Sequence, residues 1–70
     1  MSIRKGSRVR WTWGSSTAEG TVTEVHHERV TRTIKGSTVT RDASSDEPAY
    51  DIVQDDGSRV LKSRSEVERA

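Results

Sequence analysis

The chain has 70 residues, enough for one small domain with a thin hydrophobic core. Charged residues make up 33% of it, but twelve basic and eleven acidic side chains give a net charge of only +1, which argues against a disordered chain. The absence of cysteine excludes a disulfide framework and a cysteine-based metal site.

No stretch of the sequence is long and apolar enough for a signal segment or a membrane span. We therefore expect a cytoplasmic protein that does not contact a membrane.

Charge is unevenly distributed along the chain. Four basic residues precede the first acidic one, whereas residues 42–57 contain six acidic and no basic residues. These segments either give the fold two electrically different faces or pair with each other and cancel.

The first predicted strand begins at Arg8. Its apolar residues Val9, Trp11 and Trp13 alternate with polar ones, which is the period of a half-buried strand. One face of this strand carries both tryptophans, and the other carries a basic stripe formed by Arg8 and Arg10.

A turn at residues 14–17 separates this strand from a second, longer one. Residues 20–33 are rich in threonine and valine, which favours a strand. Because Val22, Val25 and Val30 do not alternate strictly, we expect a bulge or bend near residues 24–26.

Residues 34–36 predict another turn, followed by a short strand at residues 37–41 and a polar loop at residues 42–48. Tyr50 and Ile52 then face the same side of a further strand.

An Asp-Gly turn at residues 56–57 favours a hairpin between residues 49–54 and residues 58–62. Ser63 and Glu66 match the capping-box spacing, which predicts a single helical turn.

About five short, strongly bent antiparallel strands and at most one helical turn predict an all-β, SH3-like or Tudor-like barrel. The domain is expected to cover residues 1–70, with residues 5–69 ordered. A set of residues is assigned mainly to the core and the turns: Val9, Trp11, Val22, Val25, Ile52, Val60, Gly36 and Gly57.

Short motifs are spread over nearly the whole chain. They are Gly6-x-x-Val9-x-Trp11, Gly20-x-Val22, Ile34-Lys35-Gly36 with Val39, Ala43-Ser44 with Asp46, Pro48-x-Tyr50, and Asp55 or Asp56 with Gly57. In this order the chain resembles the hypervirulence-associated TUDOR domain family of bacteria and fungi. The resemblance implies a Tudor-like barrel, and it brings no established ligand or activity.

Aromatic rings are scarce, although Tudor domains that bind methylated side chains use cages of several rings. We assign Trp11 to the core. Trp13 and Tyr50 could then form a shallow two-ring site, and Arg8 with Arg10 could contact phosphates. The alternative is that both arginines pair with carboxylates across the sheet.

Metal binding and catalysis are not expected. His26 and His27 are neighbours on a strand and point to opposite faces, so they cannot both reach one ion without a bulge. The acidic loop lacks calcium-loop spacing, and the chain has no nucleophile or phosphate-loop motif. We therefore predict no enzyme activity, metal or cofactor.

The sequence thus favours a non-enzymatic module that binds a protein segment or nucleic acid through Trp13, Tyr50, Arg8 and Arg10. The alternative is a structural or assembly module that pairs through an exposed strand edge at residues 37–41. The expected state is a monomer or a weakly self-associating protein.

Overall fold

The computed structural model describes residues 3–70, which form antiparallel strands joined by tight turns. The first two residues of the predicted domain lie outside this range. The strands are β1 (Arg8–Trp13), β2 (Ser16–His26), β3 (Val30–Ile34), β4 (Ser37–Arg41), β5 (Ala49–Gln54), β6 (Arg59–Ser63) and β7 (Glu68–Arg69), and a single 3-10 turn spans Arg64–Glu66.

Five strands form one sheet in the order β6-β5-β2-β1-β7, and β3 and β4 form a separate hairpin. The long strand β2 lies at the centre, since its first part pairs with β1 and its second part pairs with β5. Within residues 3–70 no hydrogen-bonded ladder joins β4 to β6, although the two strands approach each other. The prediction of a small all-β domain with one helical turn is confirmed, in the form of an incompletely closed barrel.

The bulge expected in the second strand is present. The pairing of β2 with β5 shifts register between Val22 and Glu24. The extra residue brings Val22 and Val25, which are three positions apart, to the same core cluster. The prediction of one strand over residues 20–33 is wrong, because β2 ends at His26 and β3 begins at Val30.

The core consists of two clusters of buried side chains. The larger one contains Val9, Trp11, Val22, Tyr50 and Ile52, and Val25 and Val60 pack against it while partly buried. The smaller one contains Val30, Ala49 and Leu61 and lies under the β3–β4 hairpin. The break after His26 therefore lets Val30 enter a second cluster that the sequence pattern did not indicate.

Two turns have the backbone that their residues favour. Lys35 and Gly36 join β3 to β4 with φ values of 50° and 80°, as in the two-residue hairpin turns that match strand twist. Gly57 has φ of 88° in the β5–β6 connection, where Asp56 Oδ1 accepts a hydrogen bond from the Ser58 N–H at 2.8 Å. This bond is the main cause that lowers the pKa of Asp56.

In the part of the chain that the structure describes, no helix has the length and apolar character needed to cross a membrane.

Candidate recognition surface

Trp13 lies at the tip of the β1–β2 hairpin. It pairs with Ser16 across the turn, and its side chain is 64% exposed. Among residues 3–70 it is the only large hydrophobic side chain classed as exposed. Tryptophan is enriched at protein interfaces. Its ring contributes a large apolar contact area, and its indole N–H can donate a hydrogen bond.

Trp11 is placed differently although it belongs to the same strand. It is only 5% exposed and joins Val9 and Val22 in the larger cluster. Trp13 continues the same alternation but lies beyond the end of the core. The two tryptophans therefore divide between core packing and surface exposure.

Tyr50 does not lie beside Trp13. It is 1% exposed and pairs with Val25 near the end of β2, whereas Trp13 pairs at its beginning. Tyr50 and Ile52 are two positions apart on β5, so they share the face that packs into the larger core cluster. The structure therefore does not bring the two rings of the expected site together.

Burial raises the pKa of the Tyr50 hydroxyl. The positive charge of Arg64 acts in the opposite direction, and the negative charge of Glu47 adds to the rise. Charged side chains from the 3-10 turn and from the loop before β5 therefore both influence the pKa of the Tyr50 hydroxyl.

Arg8 is held by carboxylates. Its Nη1 and Nη2 donate to the two oxygens of Asp55, each at 2.8 Å, and its Nε lies 3.5 Å from Glu19 Oε1. The hydrogen bond between Arg8 and Asp55 is the main cause that raises the pKa of the arginine and lowers that of the aspartate. Such two-point contacts fix the guanidinium plane as well as its charge.

Arg10 has a similar partner. Its Nε donates to Glu68 Oε1 at 3.0 Å, and the two residues face each other across the β1–β7 ladder. Of the two arrangements open from the sequence, the structure has the one in which the basic stripe pairs with carboxylates. One of these, Asp55, belongs to the acidic segment of residues 42–57.

A charged cluster that the sequence pattern does not indicate lies between β2, β3 and β5. Asp51 Oδ2 lies 2.8 Å from His26 Nε2 and 3.2 Å from Arg32 Nη2. The Asp51 side chain is 18% exposed, so this is one of the least solvated carboxylates in an ion pair of the described chain. The alternation of β5 places Asp51 on the face opposite Tyr50, but its partners come from distant positions that no local pattern connects.

His26 and His27 have different surroundings, because His26 is the last residue of β2 and His27 lies just beyond the strand. His26 contacts Asp51, whereas His27 lines a cleft at the far end of the sheet. No group of three or more potential metal ligands occurs within residues 3–70.

The predicted edge strand is the outer strand of the hairpin. Within the described residues β4 pairs with β3 alone, and β6 lies near its other side. Arg41 at its end makes two hydrogen bonds to the Glu66 carboxylate, at 2.8 and 3.4 Å. The end of β4 is therefore tied to the segment that follows β6.

Of three comparisons with known proteins, the one with protein families agrees with this architecture. No curated protein and no solved structure matches the chain. The family described as the TUDOR domain of hypervirulence associated proteins matches residues 6–67, which include both tryptophans and all strands from β1 to β6. The chain therefore belongs to the hypervirulence-associated TUDOR domain family.

Proposed function

We propose that this protein is a non-enzymatic binding module that recognises a protein segment through the hairpin tip carrying Trp13. Tudor domains generally bind protein or nucleic acid partners. The observation that carries the proposal is the 64% exposure of Trp13 in a domain whose other tryptophan and only tyrosine are buried. A tryptophan with both exposed area and a hydrogen-bond donor suits the centre of a small protein interface.

The ion pairs on β1 favour a protein segment over nucleic acid. Phosphates need basic side chains that are free to replace counterions, and unpaired bases need rings on which to stack. Arg8 and Arg10 already contact carboxylates, and those carboxylates would repel a phosphate backbone. The remaining feature, Trp13, suits contact with an apolar side chain of a partner.

The test is a selection of binding peptides from a display library with the wild-type domain. We expect Trp13→Ala to weaken the affinity of the selected peptides about thirtyfold, the loss typical of an interface tryptophan. Thr12→Ala is the matched control, because Thr12 is also exposed on β1, and it should bind within about threefold of wild type. Affinity is measured by fluorescence anisotropy with labelled peptide.

Two results would contradict the proposal. One is that peptides bind the Trp13→Ala variant as tightly as wild type. The other is tight binding of a single-stranded oligonucleotide at low salt, with an affinity that falls steeply as salt is added, since that is the behaviour of a phosphate-binding surface.

Assembly through the edge of β4 is the second candidate. It is supported by the one-sided pairing of β4 within the described residues, because strands with unpaired backbone groups can add a further strand. The nearby β6 and the contact between Arg41 and Glu66 limit access to that edge. The edge could pair with a second copy or with a larger partner. Sedimentation over a wide concentration range tests self-pairing, which requires a concentration-dependent dimer, whereas the Trp13 proposal does not.

A further inference from the structure

A second concave surface lies at the end of β2 that is remote from Trp13. It is a half-open cleft of about 600 Å³, within the range of ligand sites. Segments far apart in the chain surround it: Ile3, Arg4, Val25, His27, Ser45, Asp46, Pro48, Tyr50 and Arg64. The cleft is thus built by the fold as a whole rather than by one loop.

Backbone hydrogen bonds fix one wall of this cleft. The N–H of Arg4 donates to Ser7 Oγ at 3.0 Å, and the N–H of Ser7 donates to the carbonyl of Arg4 at 2.8 Å. The N–H of Gly6 donates to the carbonyl of Val22 at 2.8 Å, which ties this turn to β2. The backbone of Arg4 is therefore held in a hydrogen-bonded turn at the edge of the cleft.

A second part of the cleft wall is also held in place. The N–H of Arg64 donates to the carbonyl of Pro48 at 2.9 Å, and the N–H of Ser65 donates to Glu47 Oε1 at 2.9 Å. The 3-10 turn and the loop before β5 thus form one connected unit. Arg64 projects from that unit and borders the cleft.

The arginines of the cleft differ from those of β1 and from Arg41, which carboxylates hold in place. Arg8, Arg10 and Arg41 each have a carboxylate partner. Arg4 and Arg64 have none within 4.0 Å among residues 3–70, although the carboxylate of Asp46 also borders the cleft. The lining itself carries two guanidinium groups and one carboxylate, and the nearby Glu47 carboxylate is held by the Ser65 N–H.

The apolar part of the lining forms the floor of the cleft. Tyr50 and Pro48 are buried, and Val25 is partly buried against the larger core cluster. Arg64 and Tyr50 both border the cleft. An apolar group resting on this floor would lie next to guanidinium donors that match planar oxyanions.

We infer that this cleft is a binding site for a small oxyanion, a carboxylate or a phosphate, carried on an apolar group. Arg4 and Arg64 bind the oxyanion, and Tyr50, Val25 and Pro48 contact the apolar group. The site is separate from the hairpin tip, so it does not depend on recognition through Trp13.

The test is a titration of the uniformly ¹⁵N-labelled protein, followed by amide chemical shifts. The probes are phenylacetate and phenyl phosphate, with neutral phenylacetamide as the control at equal ionic strength. We expect saturable shifts at the amides of Val25, His27, Tyr50 and Arg64 with the two anions, and none with the amide. The tighter of the two anions identifies the preferred oxyanion.

Substitution of the two arginines then tests whether their positive charge contributes to anion binding. Arg4→Gln and Arg64→Gln should each weaken anion binding about threefold to tenfold, as expected for a partly solvated charged contact. Arg69→Gln is the matched control, because Arg69 is an exposed arginine on β7 that does not border the cleft. The spectra of all variants also report whether the fold is kept.

Equal shifts with phenylacetamide would overturn the inference, because contact with the apolar floor alone would then explain them. Shifts that do not saturate, or unchanged affinity in both Arg4→Gln and Arg64→Gln, would overturn it as well. None of these results bears on peptide binding at Trp13, so failure of one proposal leaves the other open to its own test.

Discussion

Gly20 is a position where β5 approaches the central strand closely. It pairs with Val9 on one side of β2 and with Gln54 on the other. A Cβ atom at this position would lie 2.6 Å from Ile52 Cγ2 and 2.6 Å from the carbonyl oxygen of Val53. The second contact is with backbone, so the strain cannot be relieved by a side-chain rotation alone.

Gly20→Ala is therefore expected to lower the free energy of unfolding by about 1 to 3 kcal/mol, the usual cost of overpacking. Urea denaturation measures this directly. Thr17→Val, an exposed position of the same strand, is the control and should stay within about 0.5 kcal/mol of wild type. A Gly20→Ala protein of wild-type stability would mean that β2 and β5 can separate locally at no cost.

Residue patterns in the sequence predicted part of this picture. The alternation in β1 correctly placed the arginines on the face opposite Val9 and Trp11, because strand geometry alone sets that period. Alternation also placed Tyr50 with Ile52, but it could not show that this face of β5 is fully covered. Whether an aromatic side chain is core or surface depends on the neighbours that cover it, and those come from other strands.

Within the described part of the chain, the β3–β4 hairpin is attached to the rest of the fold by side-chain contacts and not by a hydrogen-bonded ladder between strands. Val30 packs with Ala49 and Leu61 in the smaller core cluster. Arg32 contacts Asp51 on β5, and its Nε donates to the carboxylate at 3.3 Å. The hairpin is thus held by a small apolar contact and by a carboxylate that it shares with β2.

Asp51→Asn should loosen this attachment selectively. Loss of the negative charge leaves Arg32 without its carboxylate partner, which costs about 1 to 2 kcal/mol for a contact of this burial. Amide hydrogen exchange in β3 and β4 should accelerate about tenfold, while exchange in the β1–β2 ladder stays unchanged.

Asp42→Asn provides the matched control for the hairpin. Asp42 faces Arg29 at 3.6 Å, but its side chain is 90% exposed, and such pairs contribute little to stability. Equal acceleration of exchange over the whole sheet in Asp51→Asn would show that the hairpin does not open as a separate unit.

Element boundaries were predicted less well than element types. Residues 20–33 look like one strand because threonine and valine continue through them, and no glycine or proline marks the break at residues 27–29. The break is imposed by packing, since the chain must turn for Val30 to reach Leu61. A strand propensity read along the sequence contains no information on that contact.

Over the whole molecule, opposite charges are paired between segments that are distant in sequence. The sequence showed a basic beginning and an acidic second half, and the fold joins them at Arg8 and Asp55. Glu66 links β4 to the end of β6, because its carboxylate accepts from Arg41 and from the N–H of Ser63 and lies 3.9 Å from the Lys62 ammonium. These partners follow from strand register, which the sequence alone does not fix.

This arrangement predicts loss of stability in acid. Burial raises the pKa of Glu66, but the hydrogen bonds from Arg41 and Ser63 outweigh it, so the pKa lies below its ordinary value of 4.5. A lowered pKa means that the stabilisation is complete well above pH 4.5 and is lost as pH falls through the folded-state value. The pKa of Asp55, lowered by Arg8, acts in the same direction.

Glu66→Gln should therefore reduce stability at neutral pH and flatten the fall in stability on acidification. Urea denaturation at a series of pH values measures both effects. Ser65→Ala in the same turn leaves the carboxylate in place and should keep the full acid dependence. A Glu66→Gln protein with the wild-type pH profile would show that this carboxylate does not link the segments as described.

Trp11 packs in the core, and we propose that Trp13 contacts a binding partner. The most direct measurement follows the two indole N–H signals of the ¹⁵N-labelled protein during titration with a selected peptide. We predict a saturable shift of the Trp13 indole signal, with the Trp11 signal unchanged. A Trp13 signal that stays fixed while the peptide binds would contradict the account.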